Sequence, residues 1–156
     1  MTDDLLGPRV FSIEEANSLV PELNDRVGEL IQEHATIREL AKRLYLQTKE
    51  GPVEEGAFLL DIGPQDSDPP EVHALKRDLS SRLGKYHHGW EHIEDLGAVV
   101  KDMESGLIDF YGRIDNRLVC LCWKYGEAQI DHYHDLDSGF DGRKPLIHTL
   151  RERMLN

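Results

Sequence analysis

At 156 residues, with 31% charged and 39% hydrophobic side chains, the chain has the size and composition of one soluble globular domain. Thirty acidic against 18 basic residues give a formal charge of -12 with no local Lys/Arg cluster, which argues against nucleic acid or an anionic membrane as partner and leaves a divalent cation open. No run approaches the roughly 20 apolar residues of a membrane span, and the acidic start Met1–Pro8 lacks the basic and apolar regions of a signal peptide, so a cytoplasmic location is expected.

The first element opens on Ser12-Ile13-Glu14-Glu15, a capping box in which Ser12 caps a helix and Glu15 reaches back. Ala16, Val20, Leu23, Val27, Leu30, His34, Ile37, Ala41 and Leu44 follow at alternating spacings of four and three, a heptad seam that needs a partner helix. The spacing predicts a helix over about 12–49, kinked near Pro21 because proline removes a backbone donor.

Residues 51–68 are rich in proline, glycine and acid around one apolar cluster, Ala57-Phe58-Leu59-Leu60, and read as a flap or a locally packed loop. Asp68-Pro69-Pro70-Glu71 then predicts a second helix start, with Asp68 as cap and Pro69 at the first helical position. Val72, Leu75, Leu79, Leu83, Tyr86, Trp90, Ile93, Gly97 and Val100 form its apolar stripe, and Gly106 is expected to stop it near residue 104.

Beyond that point the period changes. Residues 107–113 and 117–125 are rich in strand formers and flank Asp115-Asn116, a hairpin turn; Gly126-Glu127 turns the chain into a third strand over about 129–134. Cys120 and Cys122 share a face of the middle strand, and because a disulfide across that spacing would be strained they are expected to be reduced packing thiols. The whole reads as a single α+β domain: a long antiparallel helical hairpin packed against a small three-stranded antiparallel meander, with a polar C-terminal loop over 135–146. Two helices of about 35 residues would each span roughly 50 Å, long for one compact domain, so a homodimer through the hairpin is expected.

The chain resembles the bacterial family called domain of unknown function 2203. The resemblance is carried by Phe11-Ser12-Ile13-Glu14-Glu15-Ala16-Asn17, Leu96-Gly97-Ala98-Val99-Val100-Lys101-Asp102, Gly106-Leu107-Ile108-Asp109-Phe110, Leu121-Cys122-Trp123, Gly126-Glu127, and the run from His134 to Leu146. It covers nearly the whole chain. It implies no activity, but it places Asp109, Glu127, His134, Asp135, Asp137 and Arg143 in the shared signature.

The densest chemistry lies in residues 126–143, which hold two histidines, five acids, three glycines and an arginine. His132 and His134 lie two apart on a strand and so project from one face; with a carboxylate from Asp109 or Glu127 they would form a facial site suited to Zn(II), Fe(II) or Mn(II). The competing reading makes His134 an oriented hydrogen-bonding residue, with Asp135 and Arg143 tying down the C-terminal loop. Asp135, Asp137, Gly139 and Asp141 resemble a calcium loop, but Phe140 stands where glycine is needed and Leu146 where a bidentate Glu belongs. His88-Gly89-Trp90-Glu91-His92 spells a zinc-peptidase motif, yet its histidines fall on the helix face opposite the apolar stripe. His34, on the seam, reads as a core or interface residue with a polar partner.

Three functions follow as expectations. The first is a small binding protein holding a divalent metal through His134, Asp109, Glu127, Asp137 and His132, or a small anionic ligand through Arg143 and Asp135. The second is a metal-dependent enzyme using the same residues. The third is a helical dimerisation module whose polar segment is structural. No nucleophile elbow, phosphate loop or dinucleotide fingerprint is present in the sequence.

Overall fold

Local sequence chemistry sets the first boundary. Ser12 Oγ accepts from the Glu15 amide at 3.1 Å and Glu15 Oε1 accepts from the Ser12 amide at 3.2 Å, so the capping box opens helix α1, Ile13–Ser18. The computed structural model describes residues 8–49, 63–147 and 153.

Instead of bending near Pro21, the chain breaks at Leu19 and restarts as α2, Val20–Thr48. The reason is positional: at Leu19 a new helix begins, so Pro21 falls in a first turn, where its missing donor costs nothing. The second long helix, α3, is Pro70–Asp95. Asp68 does not cap it; its carboxylate accepts from the Gln65 amide at 2.8 Å and from Lys76 Nζ at 2.9 Å. The apolar cluster Ala57–Leu60 and most of the loop around it lie outside the described residues.

α3 ends nine residues before the expected stop at 104. Gly97 adopts φ +95°, a left-handed conformation that terminates the helix, and Val99–Asp102 then forms strand β1. Gly106, also left-handed, turns β1 into β2, Leu107–Ile114. Asp115 and Asn116, with φ +51° and +65°, make the two-residue hairpin turn into β3, Arg117–Lys124. Gly126 sits in the next turn, and β4, His132–Asp135, is followed by a 3-10 turn at Phe140–Gly142 and the short β5, Lys144–Pro145.

The sheet therefore has five strands in the order β1-β2-β3-β4-β5, all antiparallel, where three were expected. The two additional strands lie at its edges and are short, which is why strand-length apolar runs did not reveal them; β5 carries a proline, tolerated only at an edge. Val10 adds a parallel bridge to Tyr111, with the Phe11 amide donating to the Tyr111 carbonyl at 2.8 Å. The fold class is α+β.

The chain divides into two compact units: Glu29–Glu91, and the flanking segments up to Gly28 and from His92 onward. In the first, Ile37, Leu40 and Leu44 of α2 share a core with Val72 and Leu79 of α3. In the second, the centre of the sheet is buried on both faces, since Ile108, Asp109 and Phe110 of β2 and Val119 to Trp123 of β3 are all buried. One face is apolar, with Phe110 packed edge-on to Phe11 at 4.9 Å. The other carries the polar groups.

Candidate metal centre

Strand alternation and register assemble the site. The two-residue turn at Asp115-Asn116 fixes Ile114 opposite Arg117 and, counting back, Asp109 opposite Cys122 and Tyr111 opposite Cys120. On the other side of β3, Cys120 faces His134 and Cys122 faces His132. Residues 109, 120, 122, 132 and 134 therefore share one face of the sheet.

His134 and Asp109 meet there. The imidazole Nε2 lies 2.8 Å from Asp109 Oδ2, and the two residues are 2% and 1% exposed. The other ring nitrogen, Nδ1, is 2.8 Å from the Asp135 carbonyl oxygen. A carbonyl only accepts, so Nδ1 carries a proton; the contact between Nε2 and Oδ2 needs a second proton on one of those atoms. The pair is thus neutral as a whole, either as imidazolium with carboxylate or as imidazole with carboxylic acid. Charge neutrality is what allows two ionisable groups to be buried together.

Asp109 Oδ1 remains buried with no hydrogen-bond partner. Cys122 joins the pair: one ligand atom each from Asp109, Cys122 and His134 lies within 4.8 Å of the others, the one such grouping of His, Cys, Asp and Glu among the described residues. Both cysteines are free thiols. Burial, and then the negative charge of Asp109, push Cys122 up to about 12 and Cys120 up to about 11, with Arg143 and Lys101 respectively pulling the other way. Such thiols are protonated and poor nucleophiles. The Cys-His-Asp trio is therefore no catalytic triad: both ring nitrogens of His134 are taken, Nε2 by Asp109 and Nδ1 by the Asp135 carbonyl, so neither is left to accept the thiol proton.

The other expected ligands, His132 among them on the same face, make contacts of their own. Arg143 NH2 donates to both oxygens of Glu127 at 2.9 Å and to His132 Nδ1 at 2.9 Å. A guanidinium only donates, so His132 Nδ1 is placed as an acceptor toward Arg143. Glu127 Oε1 also accepts from the Lys124 amide at 2.6 Å, and the Glu127 carbonyl accepts from Trp123 Nε1 at 2.9 Å. Glu127 thus holds the β3–β4 turn and ties it to the C-terminal segment. Asp135 pairs with Arg117 at 2.8 Å and Lys144 at 3.3 Å, and Asp137 is exposed. His88 and His92 are both exposed; His92 Nδ1 accepts from Arg26, so the peptidase-like spacing holds no shared ligand pocket. His34 packs its ring 5.9 Å from that of Tyr86.

The family model of the uncharacterized conserved protein DUF2203 matches residues 9–146. The chain belongs to that family. All of the polar cluster, from Asp109 to Arg143, falls within the matched span. No curated protein and no solved structure matches the chain. No helix among the described residues is long and apolar enough to cross a membrane.

Proposed function

We propose that the chain is a metal-binding protein that holds one divalent transition-metal ion, zinc or Fe(II), at Asp109, Cys122 and His134. The observation that carries this reading is the buried grouping of Asp109, Cys122 and His134, in which Asp109 Oδ1 has no hydrogen-bond partner. An orphaned carboxylate oxygen costs free energy in a folded core, and an ion would satisfy it. The anchoring of His134 Nδ1 on a backbone carbonyl supports the same reading, since metal-binding histidines are held in this way by their second nitrogen. A thiolate in the donor set favours zinc or iron over calcium, magnesium or manganese.

The reading is one of binding rather than turnover. A substrate would have to reach residues that are 1% and 2% exposed. Binding would exchange protons for the ion: the one shared by His134 and Asp109 and the one on Cys122, so a divalent cation can enter without changing the charge of the buried cluster. Two ligands about 2.0–2.1 Å from a tetrahedral ion are about 3.3 Å apart, so the pair need open by only about half an ångström.

The test is elemental analysis of untagged protein together with titration calorimetry of metal-free protein in buffers of differing ionisation enthalpy. One equivalent of zinc or iron, at least two protons released, and loss of both in His134→Ala are expected. Absence of metal from a folded protein, with no uptake on titration, defeats the reading. The 2.8 Å contact favours a second reading in that event: His134 and Asp109 are then a buried polar pin that fixes β2 against β4.

A further inference from the structure

We infer that Arg143 is the gate of this site: its guanidinium sits as a built-in cation between Glu127 and His132, and an incoming divalent ion must displace it to reach Cys122. The inference rests on the three-residue metal reading above and names how that site is filled and emptied.

A buried site needs a way in. Asp109 and His134 are 1% and 2% exposed and Cys122 is fully buried, so an ion from solvent has to pass whatever lies over the polar face of the sheet. Register puts His132 directly opposite Cys122 on that face. Arg143 is bound to His132 and is close enough for its charge to act on the Cys122 thiol. Parting β2 from β3 would undo two paired eight-residue strands, whereas Arg143 precedes a strand of only two residues, Lys144–Pro145, at the sheet edge.

The guanidinium is surrounded as a metal ion would be. Its Nη2 lies 2.9 Å from both carboxylate oxygens of Glu127 and from His132 Nδ1, three acceptors around one nitrogen that carries two hydrogens. The acceptors are fixed independently of Arg143. The Lys124 amide donates to Glu127 Oε1 at 2.6 Å, and His132 is held in β4 by pairing with Cys122 and Pro145. With the guanidinium moved aside, Glu127 Oε2 and His132 Nδ1, 3.9 Å apart, remain as an oxygen and nitrogen pair beside Cys122. A carboxylate and an imidazole suit the same zinc or Fe(II) ion.

The closed position leaves one donor unsatisfied. Arg143 Nε is buried without a hydrogen-bond partner, and that cost is recovered when the side chain swings into water. The exposed ring of Phe140, its centroid 4.8 Å from the guanidinium carbon, stacks on the gate and adds to its hold.

The test follows cobalt(II) uptake by metal-free, full-length protein in stopped flow, read from the thiolate-to-cobalt absorption of Cys122. Arg143→Met keeps an unbranched stem and removes the guanidinium. Uptake, and loss of cobalt to a chelator, should each speed up by at least about tenfold, the weight of one hydrogen bond to a charged group. Lys144→Ala, which releases β5 from Asp135 and leaves Arg143 in place, should keep the parent rates. Phe140→Ala should raise both rates by a smaller factor, and it carries the test if the Met variant does not fold. Parent rates in Arg143→Met, or in Phe140→Ala where that variant stands alone, overturn the gate and leave the three-residue site standing. Equal acceleration in Lys144→Ala does the same, because the segment and not the guanidinium then controls entry. A parent protein with no thiolate-to-cobalt band at equilibrium overturns both readings.

Discussion

At the scale of the residue, burial dominates the chemistry of this protein. His134 and Asp109 can be buried because each completes the other, so removing one member leaves its partner without compensation. In metal-free protein, His134→Ala is expected to cost about 3–5 kcal/mol of stability, measured by urea denaturation. A double-mutant cycle with Asp109→Ala should show costs far from additive, since the second substitution removes a group already stranded by the first. The thiols give a pH signature. Their ordinary value is 9.0, and in the folded protein they hold their protons to about 11 and about 12. Between those limits the folded state binds more protons than the unfolded one. Stability is therefore unaffected by these groups below pH 9 and falls as pH rises through the window from about 9 to about 12, by at most roughly 1.4 kcal/mol per pH unit for each thiol. Denaturation midpoints of chelator-treated protein, compared with Cys120→Ala/Cys122→Ala, check this; a midpoint equally pH-dependent in the double variant refutes it.

Among elements, the glycines at turns carry the most consequence. Gly97 stops α3 at φ +95°, and a Cβ there would come within 2.5 Å of Phe11 Cζ. Gly97→Ala should therefore cost about 1–3 kcal/mol from the backbone conformation alone, and more if Phe11 cannot move; a thermal melt within a degree of the parent would contradict it. The same residue shows why part of the fold escaped the sequence. Ile93, Gly97 and Val100 continue the three-and-four spacing of the helix, so the apolar stripe hides the stop, and only the paired β-branched residues Val99 and Val100 hint at a strand. By contrast, the capping box at Ser12 and the turn at Asp115-Asn116 are local devices, complete within four residues, and both are legible without tertiary information. The site lies between these cases. His134 and Asp109 can be picked out as polar residues in strand-forming runs. Cys122 reads as packing because thiols alternate with apolar neighbours in buried strands; yet the two-residue turn, once accepted, already dictates that Asp109 faces it. What no local pattern conveys is the register of β4 against β3, and hence which histidine reaches the carboxylate.

For the molecule as a whole, the heptad seam on α2 finds its complement within the chain over Ile37–Leu44, where Val72 and Leu79 of α3 cover it. The proposed metal site belongs to the other unit, since residues 109, 122 and 134 all follow His92. Zinc should therefore act unevenly. At a free concentration 100-fold above Kd it is expected to stabilise the protein by about 2.7 kcal/mol, and hydrogen exchange should slow in β2, β3 and β4 while amides of Glu29–Glu91 remain close to their metal-free rates. Uniform protection of both units would argue that the ion acts somewhere other than the sheet.

The sheet-bearing unit is also discontinuous in sequence, and this bears on how the protein is made. Val10 and Phe11 wait for Tyr111, and the side chain of Asn17 accepts from the amide of Ile130 at 2.7 Å across 113 positions of sequence. During synthesis at about 5–20 residues per second, the amino-terminal segment spends several seconds without its partners, while the intervening helical unit can close on contacts already available. A nascent chain arrested before Ile130 thus exposes the apolar side chains of Phe11 and Ile13 to whatever is near the ribosome exit, and arrest just after Leu146 has emerged is the earliest point at which protease resistance of that segment should appear.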